Sequence, residues 1–329
     1  MRSVLFRETG SPPSVSSVIS SPDPIPGLGE VRLRMRFAPI NPADLNFIEG
    51  SYGRKPDLPA TPGMEGVGII DALGPDVSNI NPGDVAIPLG PGGTWAETIV
   101  RPAADILVLP PSIDLQQAAM LRVNPATAWG LLHSRGQPPK GSWIVQNAAS
   151  SAAAHCVISL ARHLGLHSLN LVRRPESAAA CLAAGADFVL TDDASAPAAA
   201  AAIPDFSPPS LAINAVGGDS ALRLLNLLAP GGTMATYGAM SRQPLKVPNG
   251  LLIFKDLHLN GFWLTRWLAQ LPPAEVRSLY SSLAALILNG TIHQPVAATY
   301  PLGNLHDALL HASSSARNGK ILLDLQSPG

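Results

Sequence analysis

Strand-like and helix-like segments alternate through the middle of the chain, and this alternation restricts the possible folds more than any other feature. Buried strands are predicted from short apolar runs between turns, at 142–147, 168–172, 188–191, 211–215, 232–237 and 258–261. Helices are predicted between them, at 151–164, 176–184 and 220–228. Repeated strand–helix–strand units place parallel strands in one sheet, with helices on both faces. The sequence therefore predicts an α/β fold built on a doubly wound parallel sheet.

In the part of the chain before residue 116, apolar residues recur with a different spacing, every second position. Val31, Leu33, Met35 and Phe37 alternate with three arginines at 32, 34 and 36, as in a strand with one buried and one solvated face. Short strands and Gly/Pro turns continue to about Leu115, which predicts an antiparallel, partly barrel-shaped domain. The sequence divides into 1–115, the first part of a β-rich catalytic domain; 116–261, a nucleotide-binding domain; and 262–329, a return to the catalytic domain.

Local signals refine these boundaries. Asp114 followed by Gln117 resembles a capping box, so a helix is expected to begin there. A second helix is predicted at 124–132, with Pro125 tolerated in its first turn. The alanine- and proline-rich stretch at 194–209 is predicted to be an exposed connection. After residue 262, a helix is expected at 274–288 and a final strand at 320–325.

Composition favours a soluble globular enzyme. Hydrophobic residues make up 46% of the 329 residues and the formal net charge is −1, which gives no electrostatic argument for nucleic acid. Membrane binding is not expected, because no apolar run approaches the roughly 20 residues that span a bilayer. Cys156 and Cys181 are interpreted as small buried thiols in helices. The N-terminal stretch reads as a strand and turn and not as a targeting signal, so a cytoplasmic location is expected.

A nucleotide site is predicted where the first strand of the parallel sheet meets the next helix. The segment reads NAASSAAA at 147–154, with alanines at 152 and 154 where a dinucleotide fingerprint carries glycines. Small residues still permit close approach to a pyrophosphate, and Ser150 and Ser151 offer hydroxyl groups. The next strand ends in Arg173 and Arg174, where an NAD site places an acidic residue. Two guanidinium groups suit a 2′-phosphate, so NADPH is the predicted cofactor.

Two segments near the N-terminus carry the strongest resemblance to a known family. They are NPADLNFIEGSYG at 41–53 and PGMEGVG at 62–68, followed downstream by VNPATAW, IVQNAASS, NAVGGDS, PGGTMATYGAM, LLIFKDLHLNGFWLTRW and NGKILLDL. Together they resemble the medium-chain dehydrogenase/reductase superfamily, and within it the trans-2-enoyl thioester reductases of mitochondrial type. The resemblance implies a GroES-like catalytic domain beside a Rossmann domain.

The same resemblance implies a site without zinc. In zinc alcohol dehydrogenases of the superfamily, the corresponding positions carry a Cys and a His, whereas this chain has Asn41 and Met64. A thioether and an amide are poor zinc ligands, so we expect no metal. Tyr52 occupies the position of the family's proposed proton donor. The segment that carries it, 41–53, is interpreted as a polar, glycine-punctuated loop. Glu65 is interpreted as a structurally paired carboxylate.

The resemblance also implies cofactor contacts by position. The implied residues are Asn124, Ser150, Ser151, Ala152, Ala153, Arg173, Arg174, Tyr237, Gly238, Ala239, Met240, Phe262, Trp263, Leu264 and Lys320. Family members commonly form dimers through the edge of the cofactor sheet, and the apolar segments at 251–254 and 257–261 are compatible with a homodimer.

Three functions remain open from the sequence. The first is NADPH-dependent reduction of the C=C bond of 2-enoyl thioesters, with Tyr52 as general acid. The second is reduction of small enones or quinones on the same scaffold. The third is a nucleotide-binding protein with little catalysis, which the alanines at 152 and 154 keep in consideration.

Overall fold

The computed structural model describes residues 1–134, 137–314 and 318–327, and the chain forms two compact units. The first unit combines Met1–Val123, Arg277–Gly290 and Gln294–Gly329, and the second combines Asn124–Val276 and Thr291–His293. The domain boundaries suggested by the sequence, after residues 115 and 261, stay a prediction. In the described parts of the chain, no helix is both long and apolar enough to cross a membrane.

The secondary structure follows a simple order along the chain. The strands are β1 (Arg2–Phe6), β2 (Ser16–Ser20), β3 (Glu30–Pro39), β4 (Val67–Leu73), β5 (Val85–Pro88), β6 (Thr98–Pro102), β7 (Ile106–Val108), β8 (Trp143–Gln146), β9 (His167–Val172), β10 (Phe188–Thr191), β11 (Leu211–Asn214), β12 (Thr233–Thr236), β13 (His258–Gly261), β14 (Val296–Pro301) and β15 (Lys320–Asp324). The helices are α1 (Pro12–Val15), α2 (Pro42–Glu49), α3 (Leu115–Ala119), α4 (Asn124–His133), α5 (Ala152–His163), α6 (Ala178–Ala183), α7 (Ala196–Ala201), α8 (Gly218–Leu227), α9 (Asn249–Lys255), α10 (Leu264–Leu268), α11 (Pro273–Leu288) and α12 (Leu305–Ser313).

A mainly antiparallel sheet forms the core of the first unit. Its strand order is β14–β15–β3–β4–β5–β7, and β6 also pairs with β3. Val31, Leu33 and Met35 of β3 are fully buried, as the two-residue period predicts. The alternation ends after Met35, where the register with β4 shifts and Ala38 also becomes buried.

The arginines on the other face of β3 are not simply solvated. The guanidinium groups of Arg32 and Arg34 both donate from Nε to the carboxylate of Asp71 on β4, each at 2.8 Å. The prediction of a solvated face is therefore incomplete, because it was made from one strand. A cross-strand carboxylate, which only the pairing of β3 with β4 brings opposite, neutralises the charge.

The second unit is a parallel six-stranded sheet. Its strand order is β10–β9–β8–β11–β12–β13, so the first strand of the unit lies in the middle and the order reverses there. This is the order of a dinucleotide-binding sheet, and the crevice at such a reversal is where nucleotides bind. The predicted doubly wound sheet is confirmed, and β10 and β13 have the predicted bounds.

Two segments expected to be loops are helices. Ala196–Ala201 is a helix because alanine has the highest helix propensity and Pro197 stands in the first turn, where proline is tolerated. Ala196 and Ala200 are buried against the unit's core. Pro42–Glu49 is also helical, with Asn41 and Asp44 forming a capping box at its start. The expected helix start at Asp114 is confirmed, since its carboxylate accepts from the N–H of Gln117 at 2.9 Å.

Candidate active site and cofactor site

The loop between β8 and α5 lies at the carboxyl edge of the parallel sheet. Ser151 caps α5, its Oγ accepting a hydrogen bond from the N–H of Ala154 at 3.3 Å. Ala152 and Ala153 follow in the first turn, so no long side chain covers the free N–H groups there. Ala148 has a φ of +49°, a left-handed conformation that glycine adopts more readily. The small side chains and the free N–H groups fit a pyrophosphate.

Buried amides hold this loop in place. The Asn147 side chain donates from Nδ2 to Asn214 Oδ1 and to Ser220 Oγ, each at 2.8 Å, and its Oδ1 accepts from the N–H of Ala215 at 2.7 Å. Ser220 Oγ in turn donates to Asp192 at 2.5 Å. The network joins the loops that follow β8, β10 and β11. Sequence reasoning missed it; polar residues that end otherwise apolar strands are the signal that could have found it.

The two arginines after β9 differ in their surroundings. Arg173 is exposed, whereas Arg174 is half-buried and its Nε lies 3.6 Å from the carboxylate of Glu176. Both stand at the carboxyl edge of the sheet, one strand away from β8. Their position and charge fit a 2′-phosphate, and Glu176 is a local competitor for Arg174.

The segment after β12 packs closely against the loop after β11. Tyr237 N–H donates to Asn214 O at 3.0 Å, and Met240 N–H donates to Ala215 O at 3.0 Å. A Cβ on Gly238 would lie 2.8 Å from Ala215 O, so this close approach requires glycine. Burial raises the pKa of the Tyr237 phenol to about 12, although a hydrogen bond with the Ser151 side chain opposes the shift. Tyr237 thus joins this segment to the cap of α5.

An aromatic group follows β13 in the same unit. The Phe262 and Trp267 rings lie 5.9 Å apart, and Trp263 is 39% exposed at the start of α10. A Cβ on Gly130 of α4 would lie 2.5 Å from the Phe262 ring, so glycine lets α4 approach it. The predicted contact residues of this unit follow the carboxyl ends of β8, β9, β12 and β13, in the adjoining loops and in the first residues of α5 and α10. The exception is Asn124, the buried first residue of α4.

Tyr52 belongs to the first unit and follows α2 closely. The helix ends at Gly50, which has a φ of +75°, and the N–H groups of Ser51 and Tyr52 both donate to Asn46 O, at 2.9 and 3.0 Å. The tyrosine is half-buried between exposed neighbours. Its backbone is therefore fixed to the end of a helix, more firmly than the expected loop would hold it.

The other end of α2 adjoins a buried polar cluster, which we define as Asn41, Asp44, Glu65 and Lys320. Asp44 accepts from the N–H of Asn41 at 2.8 Å and from the N–H of Met64 at 2.7 Å. Glu65 accepts from Asn41 Nδ2 at 2.9 Å and from the N–H of Val123 at 2.7 Å. The Lys320 ammonium donates to Asn41 Oδ1, and to Ile40 O at 3.3 Å. The predicted structural pairing of Glu65 is confirmed.

Burial dominates the electrostatics of this cluster. It raises the pKa of the Asp44 carboxyl to about 7, while the two N–H donors and the Lys320 charge act in the opposite direction. Burial likewise raises the pKa of Glu65, opposed chiefly by Lys320 and Asn41. Lys320, implied as a cofactor residue by the resemblance, is buried within the first unit. In the described residues, no group of three or more His, Cys, Asp and Glu side chains could hold a metal ion.

Two family matches define the class of protein. Residues 27–111 match the alcohol dehydrogenase GroES-like domain, and residues 153–283 match the zinc-binding dehydrogenase family. A GroES-like unit joined to a six-stranded nucleotide-binding unit is the architecture of medium-chain dehydrogenases and reductases, which confirms the expected fold.

Relatives and solved structures narrow the class. The chain is 43% identical to the mitochondrial enoyl-[acyl-carrier-protein] reductase of Mus musculus over 286 residues, 85% of this chain and 77% of the relative. It therefore belongs to the mitochondrial-type enoyl reductase family of the medium-chain superfamily, as the sequence motifs implied.

Three solved structures agree with this placement. A putative NADPH:quinone reductase from Bacillus thuringiensis has a TM-score of 0.91 at 28% identity, with 98% of each chain covered. The mitochondrial 2-enoyl thioester reductase Etr1p/Etr2p heterodimer from Candida tropicalis has a TM-score of 0.87 at 27% identity, covering 98% of this chain and 99% of that chain. A complex of Etr1p with NADP and crotonyl-CoA has a TM-score of 0.86 at 27% identity, with the same coverage.

The comparisons correct one expectation and weaken another. A cytoplasmic location is wrong: the enoyl reductases that the chain matches, from Mus musculus to Arabidopsis thaliana, are named mitochondrial enzymes. The N-terminal residues of the chain were therefore not a sound basis for predicting its location. The relatives are oxidoreductases, which disfavours a nucleotide-binding protein with little catalysis.

Proposed function

We propose that this protein reduces the C=C bond of 2-enoyl thioesters with NADPH. Membership of the enoyl reductase family supports the assignment of the substrate class. The edge of the second unit's sheet, which fits phosphate groups, supports the assignment of the cofactor. The carbonyl of a thioester conjugated to the alkene makes Cβ electrophilic. When bound, NADPH supplies the hydride that adds there. Negative charge then moves to the carbonyl oxygen, and Cα must gain a proton.

The residues of the second unit hold and orient the nucleotide in this proposal. Ser150, Ser151, Ala152 and Ala153 surround the pyrophosphate, and Arg173 with Arg174 bind the 2′-phosphate. The remaining contacts are assigned to Asn124, Tyr237, Gly238, Ala239, Met240, Phe262, Trp263 and Leu264, whereas Lys320 stays with the buried cluster of the first unit.

Tyr52 is the proposed general acid. Its phenol can give a proton to Cα and recover it from water. The hydrogen bond from its N–H to Asn46 O, beside that of Ser51, fixes the residue at the end of α2. The catalysis needs no metal in this proposal. The Asn41 amide is occupied at both ends, by Glu65 and by Lys320, and Met64 offers only a thioether.

The function is tested by NADPH oxidation with three substrates: crotonyl-CoA, an aliphatic enone and a quinone. The proposal expects the enoyl thioester to have the highest kcat/KM. Tyr52→Phe keeps the ring but removes the proton, so kcat should fall about 10²- to 10⁴-fold while NADPH affinity and Tm hold. Tyr300→Phe, a change on β14 of the same unit, is the matched control. Fast turnover of quinone alone would overturn the thioester assignment.

The absence of a metal is tested on the purified protein. Elemental analysis should find no stoichiometric zinc, and activity should survive exhaustive chelation followed by buffer exchange. About one zinc per chain, with activity lost on its removal and restored by zinc alone, would contradict the proposal.

Enone or quinone reduction is the second candidate. Its specific support is the backbone similarity to the putative NADPH:quinone reductase, which exceeds the similarity to the Etr1p structures. The same three substrates decide between thioester reduction and enone or quinone reduction. A quinone has no Cα to protonate, so its reduction does not need a proton donor at that position.

We also assign a homodimer to the protein. β13 is the outer strand of the parallel sheet, and edge strands can pair with another chain. On the preceding helix α9, Leu251 and Leu252 pack against the core, whereas Ile253 and Phe254 are 69% and 86% exposed. An apolar face beside a sheet edge favours association of two copies.

A further inference from the structure

The buried polar cluster joins four separate parts of the chain. Through Asp44, Glu65 and Lys320 it connects the start of α2 to the 64–65 turn, to the N–H of Val123 and to β15. All four cluster side chains are buried, so the hydrogen bonds are shielded from water. Two carboxylates with one ammonium and one bridging amide form a closed set of contacts. Asn41 holds Glu65 and Lys320 through its side chain and Asp44 through its N–H, so a change at one member disturbs the hydrogen bonds of the others.

Helix α2 connects this cluster to Tyr52. The capping box of Asn41 and Asp44 begins the helix, and Asn46 O near its end accepts from the N–H of Tyr52. Eight residues of helix extend about 12 Å. A tilt of about 5° at the anchored end would therefore move the far end by about 1 Å. A displacement of about 1 Å in a catalytic group can cost about 10²-fold in rate.

We infer that Asp44 and Glu65 are positioning residues for proton transfer: through Asn41 they fix the start of α2, and α2 places Tyr52. This inference rests on the proposed function, in which the Tyr52 phenol protonates Cα. In that step the electron pair on the carbonyl oxygen returns to form the carbonyl, Cα binds the phenolic proton, and water reprotonates the phenolate. Neither carboxylate contacts the substrate; both act through the position of the helix.

The test uses Asp44→Asn and Glu65→Gln, each alone and combined with Tyr52→Phe. Asp44→Asn places an NH₂ group against one of two N–H donors, so the start of α2 should shift. We expect kcat for crotonyl-CoA to fall about 10- to 100-fold, with the dissociation constant for NADPH, measured by fluorescence, within about twofold of the wild type. In the Tyr52→Phe background, the same changes should reduce kcat less than about twofold.

A stereochemical readout separates positioning from general damage. In D₂O the wild type should place deuterium on one face of Cα. The two carboxylate variants should give a mixture of faces by NMR, because water reaches the enolate when the phenol is displaced. Asp71→Asn is the control: this carboxylate belongs to the same unit and binds Arg32 and Arg34, but it does not contact α2. It should lower Tm without loss of facial selectivity.

Three results would overturn the inference. The first is wild-type kcat and selectivity in both carboxylate variants. The second is an equal loss of kcat with and without Tyr52. The third is loss of selectivity in Asp71→Asn as well. If Glu65→Gln folds but Asp44→Asn does not, the kcat and selectivity of Glu65→Gln decide whether the inference holds.

If Tyr52→Phe itself keeps full kcat, Tyr52 is not the donor, and the proposed proton donor and the inference fail together. Failure of the inference alone leaves a low kcat in Tyr52→Phe.

Discussion

Gly63 shows how a single residue can be fixed by both conformation and space. Its φ is +105°, and an added Cβ would lie 2.5 Å from Trp95 Cδ1 and 2.8 Å from the Trp95 N atom. Trp95 is fully buried, with Nε1 donating to Pro39 O at 3.2 Å, so it has no room to move. Gly63 lies in the turn just before Met64 and Glu65. The glycine of this motif is therefore required by packing against the core as well as by the turn.

We expect Gly63→Ala to be much more damaging than Gly83→Ala. Gly83 has a similar φ of +95°, but no atom lies within 4 Å of an added Cβ. The conformational cost, about 1–2 kcal/mol, is common to both changes, whereas overpacking adds about 1–3 kcal/mol only at Gly63. Thermal unfolding of the two variants checks this. Equal values of Tm would show that Trp95 gives way and that the contact is not decisive.

At the scale of elements, the sequence predicted what short-range patterns determine. β10 and β13 have the predicted bounds, and α5 starts at Ala152, directly after its serine cap and one residue inside the predicted helix. The helices α2 and α7 were missed because proline and small polar residues were interpreted as loop signals. In both helices proline stands in the first turn, where no helical hydrogen bond is lost.

The strand-end arginines are an element-level feature with a measurable consequence. If Arg173 and Arg174 bind the 2′-phosphate, NADPH should bind at least about tenfold more tightly than NADH, since a charge-assisted contact contributes about 1.5–3 kcal/mol. Replacing both with Ala should remove most of this preference. Arg162→Ala, an exposed change in the last turn of α5, is the control. Equal affinities of the wild type for the two nucleotides would contradict the assignment.

The candidate site was only partly predictable, because its polar contacts connect distant parts of the chain. The family resemblance pointed to Tyr52, and the local sequence identified the α5 loop and the two arginines as candidates. It could not show that Lys320 and Asn41, 279 residues apart, share a hydrogen bond. The Asn147 network likewise depends on the pairing of β8 with β11. Such contacts follow from topology, which composition and periodicity do not specify.

At the scale of the whole molecule, the proposed homodimer depends on one exposed face. Phe254→Glu places a charge on the exposed face of α9 and should turn a dimer into a monomer in sedimentation experiments. Leu310→Glu is the matched control, since Leu310 is a half-exposed apolar residue on α12 of the other unit. The control should sediment as the wild type does. A wild type that is monomeric at micromolar concentration would refute the assignment.

The pairing of β15 with β3 has a consequence for synthesis on the ribosome. β3 is made early, but its neighbour is made last; Ile40 and Lys320, which meet in the finished unit, are 280 residues apart. At about 5–20 residues per second, this interval lasts about 14–56 seconds. During it the edge of β3 has no β15 beside it, and Asp44 and Glu65 have no ammonium beside them. The second unit, whose six strands lie between residues 143 and 261, can close first. The first unit is begun first and finished last, so a nascent chain is most exposed to misassociation at its N-terminal half.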